Sequence, residues 1–162
     1  MQKIAAIAML LAIPAFAHAQ DVTRYKLPNS NFPISAAVEV PAGKSIVFLS
    51  GMVPPVVDAK APKDSAAAYG DTKTQTIGVL SAIQKQLQSM HMDMGDIVAM
   101  HAFLVGDEAH GGHMDFAGFM AGYTQFFGTK TQPKLPARSA MQVAALANPG
   151  FRVEIEVTAV RP

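Results

Sequence analysis

The sequence contains no cysteine. A disulfide frame, thiol catalysis and cysteine-ligated zinc are therefore excluded. Net charge is nearly absent too. The 13 basic residues are set against 12 acidic ones, for a formal charge of +1, so the electrostatic basis of nucleic-acid binding is missing. Glycine and proline are modest, at 12 and 11, and half of the residues are hydrophobic. Such a chain is not expected to be disordered, and 162 residues suit a single domain.

Nor is there an apolar run suited to a membrane span of roughly 20 residues. The longest, Ile4 to Phe16, is interrupted by Pro14. Lys3 precedes it and Ala17-His18-Ala19 follows it. This is the pattern of a secretory signal with an A-x-A cleavage site. The expectation is a signal peptide over residues 1–19 and a mature protein that is periplasmic or secreted, with no membrane contact after cleavage. Removal of Lys3 leaves basic and acidic residues equal in number.

After the signal, residues 20–33 are polar, with two prolines and two asparagines, and read as an extended lead-in. A single domain is expected over residues 34–162. Ile34 to Val40 is a short strand, turned by Pro41-Ala42-Gly43. "SIVFLS", Ser45 to Ser50, is a continuous apolar run that reads as a buried strand ending at Gly51. Prolines at 54, 55 and 62 mark a loop. A helix follows, capped by Asp71 or Thr72, with Ile77, Leu80, Ile83, Gln84 and Leu87 at helical spacing, ending near His91. Asp96 to Val105 is the third main strand. Asp115 to Phe127 is a second helix, with Phe116, Phe119, Met120, Tyr123, Phe126 and Phe127 three and four apart and Gly128 at its end.

Two strands close the chain, Ala137 to Val143 and Arg152 to Val160, separated by the turn residues Asn148, Pro149 and Gly150. In "VEIEV", Val153, Ile155 and Val157 share one face, while Glu154, Glu156 and Thr158 share the other. One sheet face is thus apolar and the other carries charge. The order ββ–α–β–α–ββ predicts an α+β fold, one mixed sheet covered on one face by two helices. The opposite face then needs another cover, most simply identical subunits.

With "SG" after the second strand, "GDIV" before the third, "YTQFF" in the second helix and "PARS…VEIE" at the end, the chain resembles the Rid (YjgF, RidA-like) family from about Ile34 to Val160. The resemblance implies a chorismate-mutase-like fold and a homotrimer with clefts between subunits. It also implies hydrolysis of reactive enamines or imines, of the 2-iminobutanoate and 2-iminopropanoate type, to 2-keto acids and ammonia. No metal and no organic cofactor is implied. Arg138 matches the family arginine that clamps the substrate carboxylate, a task suited to a planar, permanently charged fork. Glu154 matches the glutamate that activates or orients water. Ser50 and Gly51 match a strand-end pair that offers a hydroxyl and a backbone N–H.

Three positions depart from the pattern. Ala37, Met120 and Ala140 stand where relatives often carry tyrosine, asparagine and cysteine, so the cleft is expected to be roomier and more apolar. Ala140 keeps its backbone N–H. A small-molecule imine, enamine or keto acid is the expected partner, with a non-catalytic carboxylate-binding trimer as the alternative and a bare interaction scaffold behind it. Glu156 is expected to be structural. "MHMDM", Met90 to Met94, holds soft donors that suit Cu(I), but core packing at a strand entry is the expectation. His110 and His113, with Asp107, Glu108 and Asp115 nearby, offer a loose metal set in what reads as a solvated loop. His101 is a lone strand histidine.

Overall fold

Alternation along the last strand decides which face of the sheet is covered. The computed structural model describes residues 21–162; the expected signal segment lies outside them. Its strands are β1 (Thr23–Lys26), β2 (Ser35–Glu39), β3 (Ile46–Met52), β4 (Ile97–Val105), β5 (Ala137–Val143) and β6 (Val153–Val160), and its helices are α1 (Thr72–Ser89) and α2 (Phe116–Tyr123). The strands form one sheet in the order β1-β2-β5-β4-β6-β3. The pairs β2–β5 and β4–β5 are parallel and the others antiparallel, so the sheet is mixed and the α+β architecture holds.

Val153, Ile155, Val157 and Ala159 of β6 are buried, as are Met100, Ala102 and Leu104 of β4. They form one core with Val79, Leu80, Ile83 and Leu87 of α1 and Phe119 and Tyr123 of α2. Both helices therefore lie on one face. Asp71 caps α1, its carboxylate accepting a 2.7 Å bond from the Thr74 N–H, which satisfies a donor the helix leaves free. The buried stripe also takes in Gln75 and Thr76. Gln75 donates to the Gly150 carbonyl at 3.0 Å and accepts from the Arg152 N–H at 2.7 Å, tying the start of α1 to the entry of β6.

Three boundaries differ from expectation. The lead-in is not merely extended: Thr23–Lys26 pairs with β2 as an edge strand, pinned where Arg24 donates to the carbonyls of Leu135, Gly95 and Ile97. The second helix stops at Tyr123, with Thr124 as its cap. Phe126 and Phe127 return to the core from a following turn, where Phe127 stacks on Tyr123 at 4.8 Å. Strand β4 begins at Ile97, after a 3₁₀ turn over Met94–Asp96.

Leu80 is fully buried between α1 and the sheet. Leu80→Ala is expected to lower the unfolding free energy by about 2–5 kcal/mol, measured as a shift of the urea midpoint at unchanged slope.

Candidate functional site

Strand β5 pairs with β4 so that Arg138 lies opposite Met100 and Ala140 opposite Ala102. Both β4 residues are in the core, so Arg138 and Ala140 point to the helix face. There Arg138 meets α2. Its guanidinium carbon stands 4.4 Å from the Tyr123 ring centroid, 5.1 Å from Phe119, 5.4 Å from Phe32 and 5.9 Å from Phe116. These are cation–π distances. One terminal nitrogen, Nη1, donates to the sulfur of Met120 at 3.2 Å. Nε is buried without a hydrogen-bond partner, and among the described residues no carboxylate pairs with Arg138. Burial pulls its pKa below the ordinary arginine value. Burial likewise raises the Tyr123 phenol, with the charge of Arg138 opposing; the hydroxyl donates to the Pro33 carbonyl at 2.9 Å. A desolvated cation without a counter-charge is a costly arrangement that an anion relieves.

Glu154 belongs to a second group. It pairs with Phe103 of β4, and Glu156 with His101, so both carboxylates occupy the face opposite the helices. Glu154 is half-buried and Glu156 exposed. Gly51, beside a register shift in the β3–β6 pairing, lies directly under Glu154. A Cβ placed on Gly51 would collide with Oε1 of Glu154 and stand 3.0 Å from its Cδ. Ser50 and Gly51 line a groove of about 490 Å³ along β3, and Ser50 also borders a depression of about 270 Å³ with His101 and Glu156. A larger groove, about 520 Å³ between Gln84, Gln125 and Lys134, touches none of the expected site residues.

Within one chain the expected residues thus fall into two sets. Arg138, Met120 and Ala140 sit on the helix face. Ser50, Gly51 and Glu154 sit on the open face. Ala37 stands apart, exposed in β2 opposite Tyr25. Two residues before it, Ser35 pairs with Ala137, so Ala37 lies on the face away from Arg138. The open face also carries Phe48, 79% exposed, and Met141, 38% exposed. Phe32 is a neighbour of Arg138 that sequence reasoning missed. It falls in the lead-in, and its only signal there was an aromatic ring before a proline. Of the Met90 to Met94 cluster, Met92 and Met94 are in the core, and Asp93 forms a capping box with Asp96. His110 lies 3.6 Å from Asp115. Among the described residues no three His, Cys, Asp or Glu side chains gather as a metal set.

The family model described as Endoribonuclease L-PSP matches residues 42–161. Among solved structures, Escherichia coli TdcF with bound serine is 28% identical, over 88% of this chain and 99% of that one, with a TM-score of 0.55. NMB1025 of Neisseria meningitidis, a YjgF-family protein, is 27% identical over 90% and 98%, with a TM-score of 0.52. YyfB of Yersinia pestis, a Rid-family protein of unknown function, is 24% identical over 85% and 98%, with a TM-score of 0.62.

The contact between Gly51 and Glu154 has a measurable consequence. The colliding atom is the far end of a flexible side chain, and the Gly51 backbone has no positive φ. Gly51→Ala is therefore expected to change stability by less than about 1 kcal/mol while displacing the Glu154 carboxylate. A crystal structure of the variant, alongside its thermal melt, checks both parts.

Proposed function

The chain belongs to the YjgF/Rid family, and from that premise we propose that it hydrolyses small imines or enamines of 2-amino acid origin to 2-keto acids and ammonia. The observation that carries this proposal is Arg138, a half-buried guanidinium with a buried, unpartnered Nε and no carboxylate beside it among the described residues. A substrate carboxylate supplies the missing anion, and arginine binds one through two parallel N–H donors. Glu154 serves as the base. Water adds its oxygen to the carbon of the C=N bond and gives a proton to the carboxylate. The carboxylate passes that proton to the nitrogen, completing a carbinolamine. The carbinolamine hydroxyl then gives its own proton, by way of the same carboxylate, to the amino group as the C–N bond breaks and C=O forms, and the nitrogen leaves as ammonia. Ser50 and the Gly51 N–H steady the polar end of the substrate.

Arg138 and Glu154 of one chain are on opposite sheet faces, so a small molecule cannot meet both in a single subunit. The cleft is proposed to lie between copies in a homotrimer, with the arginine from one subunit and the glutamate from its neighbour. The exposed Phe48 and Met141 on the open face support such an assembly. A relative crystallised with serine supports a small amino-acid-derived ligand. A formal charge of +1 gives no comparable support to ribonuclease activity. Export remains part of the proposal, on the signal-like start of the sequence. No residue is assigned to a metal or organic cofactor. The second reading, a binding module that releases its carboxylate unchanged, draws on the same arginine.

The test is a semicarbazide trap. An amino-acid oxidase generates the imine, and the mature protein competes with the trap for it. Less trapped imine is expected with the wild type, and loss of that effect with Arg138→Ala and with Glu154→Gln. Mixed assemblies of the two variants are expected to regain activity, because some clefts then pair an intact arginine with an intact glutamate. If a mixture of two inactive variants stays inactive, the shared cleft is wrong. If the wild type never competes but 2-keto acids raise its melting temperature, the binding-module reading replaces hydrolysis.

A further inference from the structure

Two of the four rings around Arg138 are not core. Phe119 and Tyr123 are fully buried, but Phe32 is 39% exposed and Phe116 36% exposed. These two come from separate parts of the chain, the segment before β2 and the first residue of α2. They lie nearly parallel, with centroids 6.4 Å apart and planes 18° from one another. The arginine stands 5.4 and 5.9 Å from them. Pro33, next to Phe32, is held to α2 through the Tyr123 hydroxyl at 2.9 Å, so the pair is fixed in place. Met120 occupies Nη1 through its sulfur, and Ala140 shares the same sheet face. Four aromatic rings and a thioether stand against the guanidinium. Burial leaves Nε without a partner.

Resting on the hydrolase reading above, we infer that this site selects imines whose side chain is large and apolar, aromatic above all, with Phe32 and Phe116 as the specificity-determining residues. The carboxylate takes the arginine and the side chain lies against the two exposed rings. A small substrate leaves those rings wet. A benzyl or isobutyl group covers them, and ring against ring adds the offset or edge contacts that aromatic pairs favour. A single methylene in an apolar pocket is worth about 10- to 200-fold in kcat/KM, so a whole ring is expected to exceed the low end of that range. Met120 reinforces the choice, since a thioether adapts to apolar shapes and offers little to a substrate hydroxyl.

The experiment compares imines generated from phenylalanine, leucine and alanine in the same competition assay, with kcat and KM separated. At least about ten-fold higher kcat/KM is expected for the phenylalanine-derived imine over the alanine-derived one. Phe116→Ala and Phe32→Ala are expected to remove most of that ratio, raising KM for the aromatic imine more than for the alanine-derived one. Circular dichroism and melting confirm that both variants fold. Equal rates on all three imines, or a preference for alanine, overturn the inference and leave the hydrolase reading standing. An aromatic preference that survives both substitutions also overturns it, because the rings then do not set it. No competition with any imine, together with no melting shift from phenylpyruvate or pyruvate, sinks the hydrolase reading and the inference with it.

Discussion

A positive charge surrounded by carbon is the constraint on which the site depends. Arg138 leaves water when β5 slots between β2 and β4 and α2 closes over it. Four ring faces and a sulfur replace part of its hydration. Ring quadrupoles attract the cation, but they neither neutralise it nor accept hydrogen bonds as oxygen does. The buried Nε has no partner, and desolvation depresses the pKa. A side chain held in this way is a standing demand for an anion. An isolated charge is normally paired in a protein interior. Here no carboxylate of the described residues supplies the partner, and the proposed substrate does.

The same alternation that builds the core decides where the proposed chemistry can occur. Met100 and Ala102 take Arg138 and Ala140 to the helix side, whereas Phe103 and His101 take Glu154 and Glu156 to the other. Shifting either strand by one residue would bury glutamates under α1 and expose the valines, so the register is strongly specified. Two groups fixed on opposite faces of one sheet, as the proposed reaction uses them, cannot be brought together by a loop movement. In the proposed assembly a second copy solves the problem with no change in the fold, and Phe48, 79% exposed on the open face, is available for it to cover. Oligomerisation and chemistry then become one requirement.

Much of this was legible in the sequence because it was carried by periodicity. The alternating valines and glutamates of β6 and the capped stripe of α1 each announce their type and their buried face. The apolar run at β3 announces a strand but not its burial: Ile46 and Phe48 are exposed and only Leu49 is buried, because β3 is an edge strand whose open face no element among the described residues covers. What stayed hidden was held by tertiary contacts. Strand β1, Thr-Arg-Tyr-Lys, has no apolar alternation. It exists because it pairs with β2 and because Arg24 reaches three distant carbonyls. The end of α2 was overrun because Phe126 and Phe127 keep helical spacing while sitting in a turn that also returns them to the core. Phe32 was invisible as a site residue for the same reason as β1: proximity to Arg138 is created by the closing of the N-terminal hairpin on β5, and no local pattern encodes it. For Arg138 and Glu154 the family motif was the guide, and it named the residues without saying that one chain holds them apart.

The proposed reaction needs one of two glutamates on one face to handle water, and the backbone beneath them favours Glu154. Glu156 lies opposite His101 and open to solvent, where a carboxylate is free to reorient. Glu154 is half-buried and rests on Gly51, the one strand position where the absence of a Cβ leaves room for its Oε1. The register shift in β3 at that point turns a Ser-Gly step toward the carboxylate instead of continuing the ladder. Bulges and shifts of this kind re-aim groups beside functional sites. A general base must be held within hydrogen-bond reach of the proton it takes, and a glutamate seated on a glycine backbone has fewer places to go than one in open solvent. The position of Gly51 thus distinguishes the two carboxylates more sharply than their charges, which are alike.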